Sequence, residues 1–247
     1  MQELLNVLLL SLAAGLATGL GGALAVLRTP GKKSMGVTLG FAAGIMLGLA
    51  FLELIPEARA LGGFTVAVTG FAVGAAIMLL LDAGLPHIRF RVKEESVFDI
   101  KLYKTSLLIA IGIALHNLPE GIAVGAGYAH APSFGLMVAA IIALHNIPEG
   151  MIIAMPCCAS GSSKRKSFKL ALLSGLAEPF GAVLAFVLLD TVRGAVPFAL
   201  AFAAGVMTFI TLDELLPCAH AQGHSHLTGI GLIGGVTAAM ALTAFFA

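Results

Sequence analysis

Two nearly identical polar stretches interrupt an apolar chain: "ALHNLPEG" at 114–121 and "ALHNIPEG" at 143–150. Each places a histidine, an asparagine and a glutamate around a proline. Polar and ionisable residues at the centre of a lipid-spanning helix are costly, and they mark functional sites. The meaning of the two stretches therefore depends on whether the surrounding chain spans a membrane.

The composition predicts an integral membrane protein. Of the 247 residues, 59% are hydrophobic and only 11% are charged, and the mean hydropathy is +1.01. A soluble domain carries roughly a quarter charged residues, so this chain could not cover itself with a water-facing surface. A net charge of +1 gives no support for a nucleic-acid partner. Three cysteines do not form a set of paired disulfides.

The apolar runs predict an all-α membrane fold. A helix needs about 20 apolar residues to cross a bilayer, and the runs are too long and continuous for barrel strands. The N-terminal run lacks the basic start of a signal peptide, so we expect it to be retained. The eight expected spans, which form one transmembrane transporter domain over 1–247, are about 4–27, 35–57, 63–85, 104–128, 133–157, 168–190, 195–217 and 227–246.

The basic residues predict the orientation, because cytoplasmic loops carry the excess of lysine and arginine. They concentrate in three connections on one side, 28–33, 89–104 and 164–169, while only Arg59 and Arg193 fall on the other side. With eight spans, both termini then lie outside the cytoplasm of a multi-pass cell-membrane protein.

An internal repeat relates the first three spans to the last three. Three segments recur at offsets of 160 or 161: "GLA" (15–17, 175–177), "FAAGIM" (41–46) as "FAAGVM" (202–207), and "ELIP" (53–56) as "ELLP" (214–217). Five crossings separate the two copies, so they insert upside down. Inverted repeats are typical of transporters with a binding site at the midplane. Chance likeness between glycine- and alanine-rich helices is the alternative.

The two polar motifs lie on the central pair of antiparallel helices, near the middle of each. Within a motif, histidine and glutamate are separated by four residues and asparagine and glutamate by three, so all three side chains share one helix face. The sixth span adds a carboxylate in "GLAEPFG". The candidate metal ligands are His116, Asn117, Glu120, His145, Asn146, Glu149 and Glu178.

No lysine or arginine accompanies these carboxylates at the middle of the helices, so protons or a bound cation must compensate them. Histidine with glutamate suits Zn²⁺, and the neutral asparagine oxygens broaden the preference towards Fe²⁺, Mn²⁺ or Cd²⁺. The set is large enough for two ions, with Glu120 and Glu149 placed to bridge them. Interhelical hydrogen bonds that only lock the bundle are the alternative.

The doubled motif, Glu178 and the eight-span layout resemble the ZIP (Zrt/Irt-like) family of divalent metal transporters, and its bacterial ZupT/GufA-like branch most of all. The resemblance covers essentially the whole chain. It implies import of Zn²⁺ and related metals without ATP. It also implies one ion at His116, Glu120, His145 and Glu149, and a second that Asn117, Asn146 and Glu178 share with those glutamates. The connection at 86–103 has only His87 where the family often has many histidines.

Polar residues near the span ends suggest a path for the ion. Glu53 lies towards the outer end of the second span, and we expect it to capture metal by raising the local cation concentration. The candidates for release towards the cytoplasm are Asp213, Glu214, His220, His224 and His226. Ordinary solvated polar turns would explain the same residues.

Three other functions compete with metal import. An intramembrane metallohydrolase would be expected to carry H-E-x-x-H, whereas here the order is H-N-x-x-E. A cation-coupled carrier of organic solutes would be expected to hold aromatic or basic groups for its solute, and the chain has no tryptophan. Metal export would use the same ligands. Glycine-rich outer faces permit a homodimer.

Overall fold

The computed structural model describes residues 2–28, 30–83, 100–222 and 225–246. Every regular element in those ranges is helical, which confirms the all-α prediction. The elements are α1 (Gln2–Leu27), α2 (Lys32–Gly48), a first π-helix (Leu49–Leu54), α3 (Ile55–Ala83), α4 (Ile100–His130), α5 (Pro132–Ala159), α6 (Lys164–Gly175), α7 (Ala177–Thr191), a 3₁₀ turn (Arg193–Ala195), α8 (Val196–Ile210), a second π-helix (Thr211–Leu215), α9 (Leu216–His220) and α10 (Ser225–Phe246).

In the described part of the chain, seven helical stretches are long and apolar enough to cross a bilayer, by length and composition. The longest, Lys32–Leu81, has 50 residues and combines the second and third expected spans. Straight, it would measure about 75 Å at about 1.5 Å per residue, more than twice a bilayer core of about 30 Å. It kinks at Gly63, whose φ of 78° lies in the region that glycine tolerates best.

Three helices contain irregularities that the sequence did not predict. The two π-helices interrupt the second and seventh expected spans, and Leu176 separates α6 from α7 inside the sixth. Short π-helical stretches within α-helices are frequently found at functional sites.

The distribution of side chains is that of a protein in lipid. Large apolar side chains point outward: Phe64 is 69% exposed, Leu80 72% and Phe245 80%. The polar motif residues are buried instead. This arrangement suits a surface that contacts acyl chains and an interior that holds the costly polar groups.

Glycines bring helix backbones into direct contact. Gly15 and Gly175 each lie against the other's carbonyl, and Gly21 lies against the carbonyl of Ile147, with no space for a Cβ atom. Gly44 packs in the same way against the carbonyl of Leu232. Small residues at such crossings are how membrane helices reach close packing.

These backbone contacts divide the helices into two sets. One set, the site group, comprises α1, α4, α5, α6 and α7. The other, the flanking group, comprises α2, α3, α8, α9, α10 and the two π-helices that continue α2 and α8, with α2 packed on α10 and α3 on α8. Among the glycines of the described chain, none packs this closely across the boundary between the two groups.

Candidate metal centre

The two polar motifs face each other because α4 and α5 are antiparallel neighbours. Only Ala131 separates the end of α4 from the start of α5, and a connection this short keeps the helices adjacent. Both helices continue through the motif prolines, Pro119 and Pro148. The two motifs therefore meet in the interior of the site group.

Four motif side chains form one buried cluster. One carboxylate oxygen, Glu120 Oε1, accepts hydrogen bonds from His116 Nε2 at 2.9 Å and His145 Nε2 at 2.7 Å. His116 Nε2 is also 3.1 Å from Glu149 Oε1, although the pair is not aligned as a hydrogen bond. One ligand atom from each of the four residues lies within 4.8 Å of the others, and none is more than 3% exposed.

The cluster fits a divalent cation. Zinc bonds of 2.0–2.2 Å in tetrahedral geometry place ligand atoms about 3.3–3.6 Å apart, so small side-chain movements would suffice. In the described chain, Glu120 Oε2 and both oxygens of Glu149 have no hydrogen-bond partner. Buried carboxylate oxygens without a partner are costly, and a bound cation would satisfy them. The histidine Nε2 atoms would then hold the ion in place of a proton.

The two asparagines are fixed so that their oxygens stay free. Asn117 donates from Nδ2 to the carbonyl of Ser174 at 3.0 Å, and Asn146 donates to the carbonyl of Ala14 at 2.9 Å. Neither Oδ1 atom has a partner within the described ranges. Each amide is thus oriented by a neighbouring helix and keeps an oxygen available as a neutral ligand.

Glu178 joins the cluster through an asparagine. It is fully buried in the first turn of α7, where its Oε2 accepts from Asn146 Nδ2 at 2.7 Å. The irregularity at Leu176 begins a new helix just before Glu178, and a helix N-terminus favours a nearby carboxylate. Glu178 Oε1 has no partner among the described residues, so it too is open to a cation.

The predicted capture and release residues lie apart from this cluster. Glu53 and Glu214 are half-buried, one in each π-helix. The His and Glu cluster of α4 and α5 is the only group of three or more metal-ligating His, Cys, Asp or Glu side chains found in the described ranges.

The remaining candidates lie at the surface or outside the described residues. Asp213, His220 and His226 are exposed, and His220 Nδ1 is 2.8 Å from the carbonyl of Leu216 in its own helix. His224 lies outside the described residues, as does most of the 86–103 connection with His87.

The sequence did not reveal two features of the structure. On α1, Thr18 is fully buried, and the carbonyl of Ala14 orients Asn146. The signal for Thr18 was available, because it follows "GLA" at 15–17 as Glu178 follows "GLA" at 175–177. The second feature is a contact of 2.8 Å between Glu57 Oε1 of α3 and His130 Nε2 of α4, which joins the two helix groups.

The family model of the ZIP zinc transporters matches residues 91–244. The chain belongs to the ZIP family. Three relatives named zinc transporter ZupT are similar over nearly their whole length. Those of Corynebacterium aurimucosum and Chlorobium phaeovibrioides are 41% identical, with 96% and 98% of both chains covered, and that of Streptococcus mutans is 36% identical, with 95% of both covered.

ZIP membership agrees with the long apolar helices, so the chain is a multi-pass protein of the cell membrane. It also decides between the functional classes considered from the sequence. The ZIP proteins are transporters, and the enzymatic alternative is set aside. The four clustered His and Glu residues lie within the matched part of the chain.

Proposed function

We propose that this ZIP protein carries divalent metal cations, Zn²⁺ above all, across the cell membrane into the cytoplasm. The observation that carries the proposal is the buried cluster of His116, Glu120, His145 and Glu149, with its carboxylate oxygens left without partners in the described chain. The relatives named zinc transporter ZupT support zinc as the substrate. Fe²⁺, Mn²⁺ and Cd²⁺ are further candidates because oxygen ligands accompany the imidazoles.

The centre holds two ions in this proposal. The first binds to the two histidines together with Glu120 and Glu149. The second binds to Asn117, Asn146 and Glu178, and the two glutamates bridge to it. Support comes from the free Oδ1 atoms of both asparagines and the free Oε1 of Glu178, which are buried acceptors with no partner in the described ranges.

The chain crosses the membrane eight times in this proposal, because the stretch Lys32–Leu81 is too long for one crossing and kinks at Gly63. An inverted repeat relates the first three crossings to the last three. Equivalent contacts recur in support of it. Gly44 packs on Leu232 of α10, and the glycine 161 residues later, Gly205, packs on Phe71 of α3.

Transport requires the centre to face each side of the membrane in turn. We infer that the site group moves as one body against the flanking group, as repeats commonly do in secondary transporters. The glycine contacts support this division, since they join helices inside each group and, in the described chain, do not cross between the groups.

The excess of basic residues in three connections supports an orientation with both termini outside the cytoplasm. In that orientation Glu53 captures the ion near the outer end of its span. Asp213, Glu214, His220, His224 and His226 would accept it near the inner end. Both glutamates belong to the flanking group, whereas every ligand of the centre belongs to the site group.

Uptake of radiolabelled zinc into proteoliposomes, driven by a zinc gradient without ATP, tests this function. The Glu120→Gln, Glu149→Gln double variant keeps the side-chain volume and removes both bridging charges, so we expect uptake at the protein-free background. Glu3→Gln, which changes an exposed carboxylate at the start of α1, is the control and should match the unmodified chain. A chain that binds zinc at the centre but carries none would contradict transport and point to a membrane metal sensor.

A further inference from the structure

Thr18 differs from the other buried threonines, whose hydroxyl groups make hydrogen bonds. Thr208 donates to the carbonyl of Ala204 in its own helix, at 2.7 Å, the usual bond of a helical threonine to the residue four positions earlier. Thr211 does the same with Met207. Thr18 is completely buried, yet its Oγ1 has no partner among the described residues.

The reason lies in the residue four positions earlier. The carbonyl of Ala14, the ordinary acceptor for Thr18, already accepts from the side chain of Asn146. The hydroxyl of Thr18 is therefore left free inside the group of helices that holds the metal ligands. A buried hydroxyl without a hydrogen bond is costly, so a partner for it is expected.

The surroundings of Thr18 match those of Glu178. The carbonyl of Thr18 packs on Gly150 of α5, just after the second motif glutamate, and the carbonyl of Glu178 packs on Gly121 of α4, just after the first. The two positions are 160 residues apart and follow the same "GLA" triplet.

The asparagine contacts follow the same correspondence. Asn146 donates both to Ala14 and to Glu178. Asn117 donates to Ser174, which is 160 residues after Ala14. By the repeat, Thr18 corresponds to Glu178 and Asn117 to Asn146, although a hydrogen bond joins only the second pair, Glu178 and Asn146. In agreement, the Thr18 side chain packs at Gly175, the residue next to Ser174.

We propose that Thr18 supplies its hydroxyl oxygen to the second ion of the centre, opposite Glu178 and beside Asn117. This rests on the two-ion centre of the proposed function and completes its ligand set. The second ion then has six oxygen ligands, from Thr18, Asn117, Glu120, Asn146, Glu149 and Glu178. Six oxygens in octahedral geometry suit Mn²⁺ better than the tetrahedral preference of Zn²⁺.

Metal binding to the purified full-length protein tests the assignment. Equilibrium binding of Mn²⁺ and Zn²⁺ is measured for Thr18→Val, which removes the hydroxyl and keeps the shape, and for Thr18→Ser, which keeps the hydroxyl. Thr208→Val is the matched control, because its hydroxyl already bonds its own helix. We expect Thr18→Val to lower the affinity for the second ion about ten-fold or more, and to lower the affinity for Mn²⁺ more than that for Zn²⁺. Thr18→Ser and the control should behave as the unmodified chain.

A cysteine at position 18 gives a direct spectroscopic signature. In a background with Cys157, Cys158 and Cys218 replaced by serine, Thr18→Cys should show a cadmium–thiolate charge-transfer band when Cd²⁺ is added. The matched Thr208→Cys should show none. A cysteine at 18 without the band overturns the assignment, as does unchanged second-ion affinity in Thr18→Val.

Glu178→Gln distinguishes a failure of the two-ion centre from a failure of the role proposed for Thr18. If this variant loses the second ion while Thr18→Val keeps it, the two-ion centre stands and the role of Thr18 is wrong. If the unmodified chain binds a single ion, both the second ion and the role of Thr18 are wrong. Loss of zinc uptake in the Glu120→Gln, Glu149→Gln double variant would still support transport of metal through the centre.

Discussion

Contacts inside the site group differ in kind from contacts between the site and flanking groups. Inside the group, backbone meets backbone, as where Gly21 lies against the carbonyl of Ile147. Where α5 meets the flanking group, the flexible side chain of Met155 packs instead on a cluster that includes Met35 of α2. Methionine adapts its shape easily, whereas a backbone contact allows almost no displacement. The comparison indicates two stiff bodies with a compliant boundary.

Covalent linkage across that boundary should have the largest effect. In a chain without native cysteines, Glu57→Cys with His130→Cys joins α3 to α4 at the place where the two native side chains are in contact. A cleavable bifunctional thiol reagent on this pair should reduce zinc uptake to near the background, because it fixes one group to the other. Zinc binding should survive, and reduction should restore uptake.

A second cross-link within the site group provides the control. Asn6 of α1 donates to the hydroxyl of Tyr128 of α4 at 3.0 Å, so cysteines at these two positions link helices of the same body. Uptake should continue after this linkage. Full uptake with the 57–130 pair completely linked would contradict movement between the groups and favour a channel-like path.

Glycine substitutions should have an intermediate effect that depends on which contact they alter. Gly21→Ala forces a methyl group into the carbonyl of Ile147, and overpacking of this kind costs about 1–3 kcal/mol. Gly112→Ala, with nothing within 4 Å of the added atom, should be neutral or slightly stabilising. The temperature at which the monodisperse chromatography peak is lost in detergent measures the stability of both variants.

The compliant boundary should tolerate a change that the stiff packing does not. Met155→Leu conserves volume and should cost less than about 1.5 kcal/mol in the same thermal assay. Equal losses in Gly21→Ala and Met155→Leu would mean that the two kinds of contact do not differ in stiffness.

Changes at the ends of the path should have the smallest effect. Glu53→Gln and Glu214→Gln remove flanking-group charges that lie apart from the buried cluster. We expect a fall in uptake of no more than about ten-fold at low zinc, because a fixed charge raises the local concentration of cations. Zinc stoichiometry should stay unchanged, with Glu3→Gln as the control. Uptake kinetics that match the unmodified chain in both variants would remove these residues from the path.

The sequence was sufficient to predict which residues form the buried cluster, because their pattern occurs twice. His116 and His145 sit in copies of one motif, and the helical spacing alone places each on the same face as its glutamate. The long apolar runs were equally informative, since a bilayer demands about 20 such residues whatever the details of packing.

The sequence was not sufficient for features that depend on contacts between distant helices. The hydroxyl of Thr18 is free only because a side chain of α5 occupies the carbonyl of Ala14. The contact between Glu57 and His130 depends on how α3 lies against α4. The π-helices are different, because each ends two residues before a proline, Pro56 or Pro217, which removes a backbone donor from the helix.

The anchored asparagine amides have a consequence for the entropy of each transport cycle. Asn117 and Asn146 are held by carbonyls of α6 and α1, within the body that contains the candidate metal ligands. Ordering a free side chain on binding costs about 0.5–1.5 kcal/mol. Here that loss of freedom occurs once, when the helices pack, and is not repeated with every ion. A site ordered in advance binds and releases its ion with little rearrangement, which favours rapid exchange over many cycles.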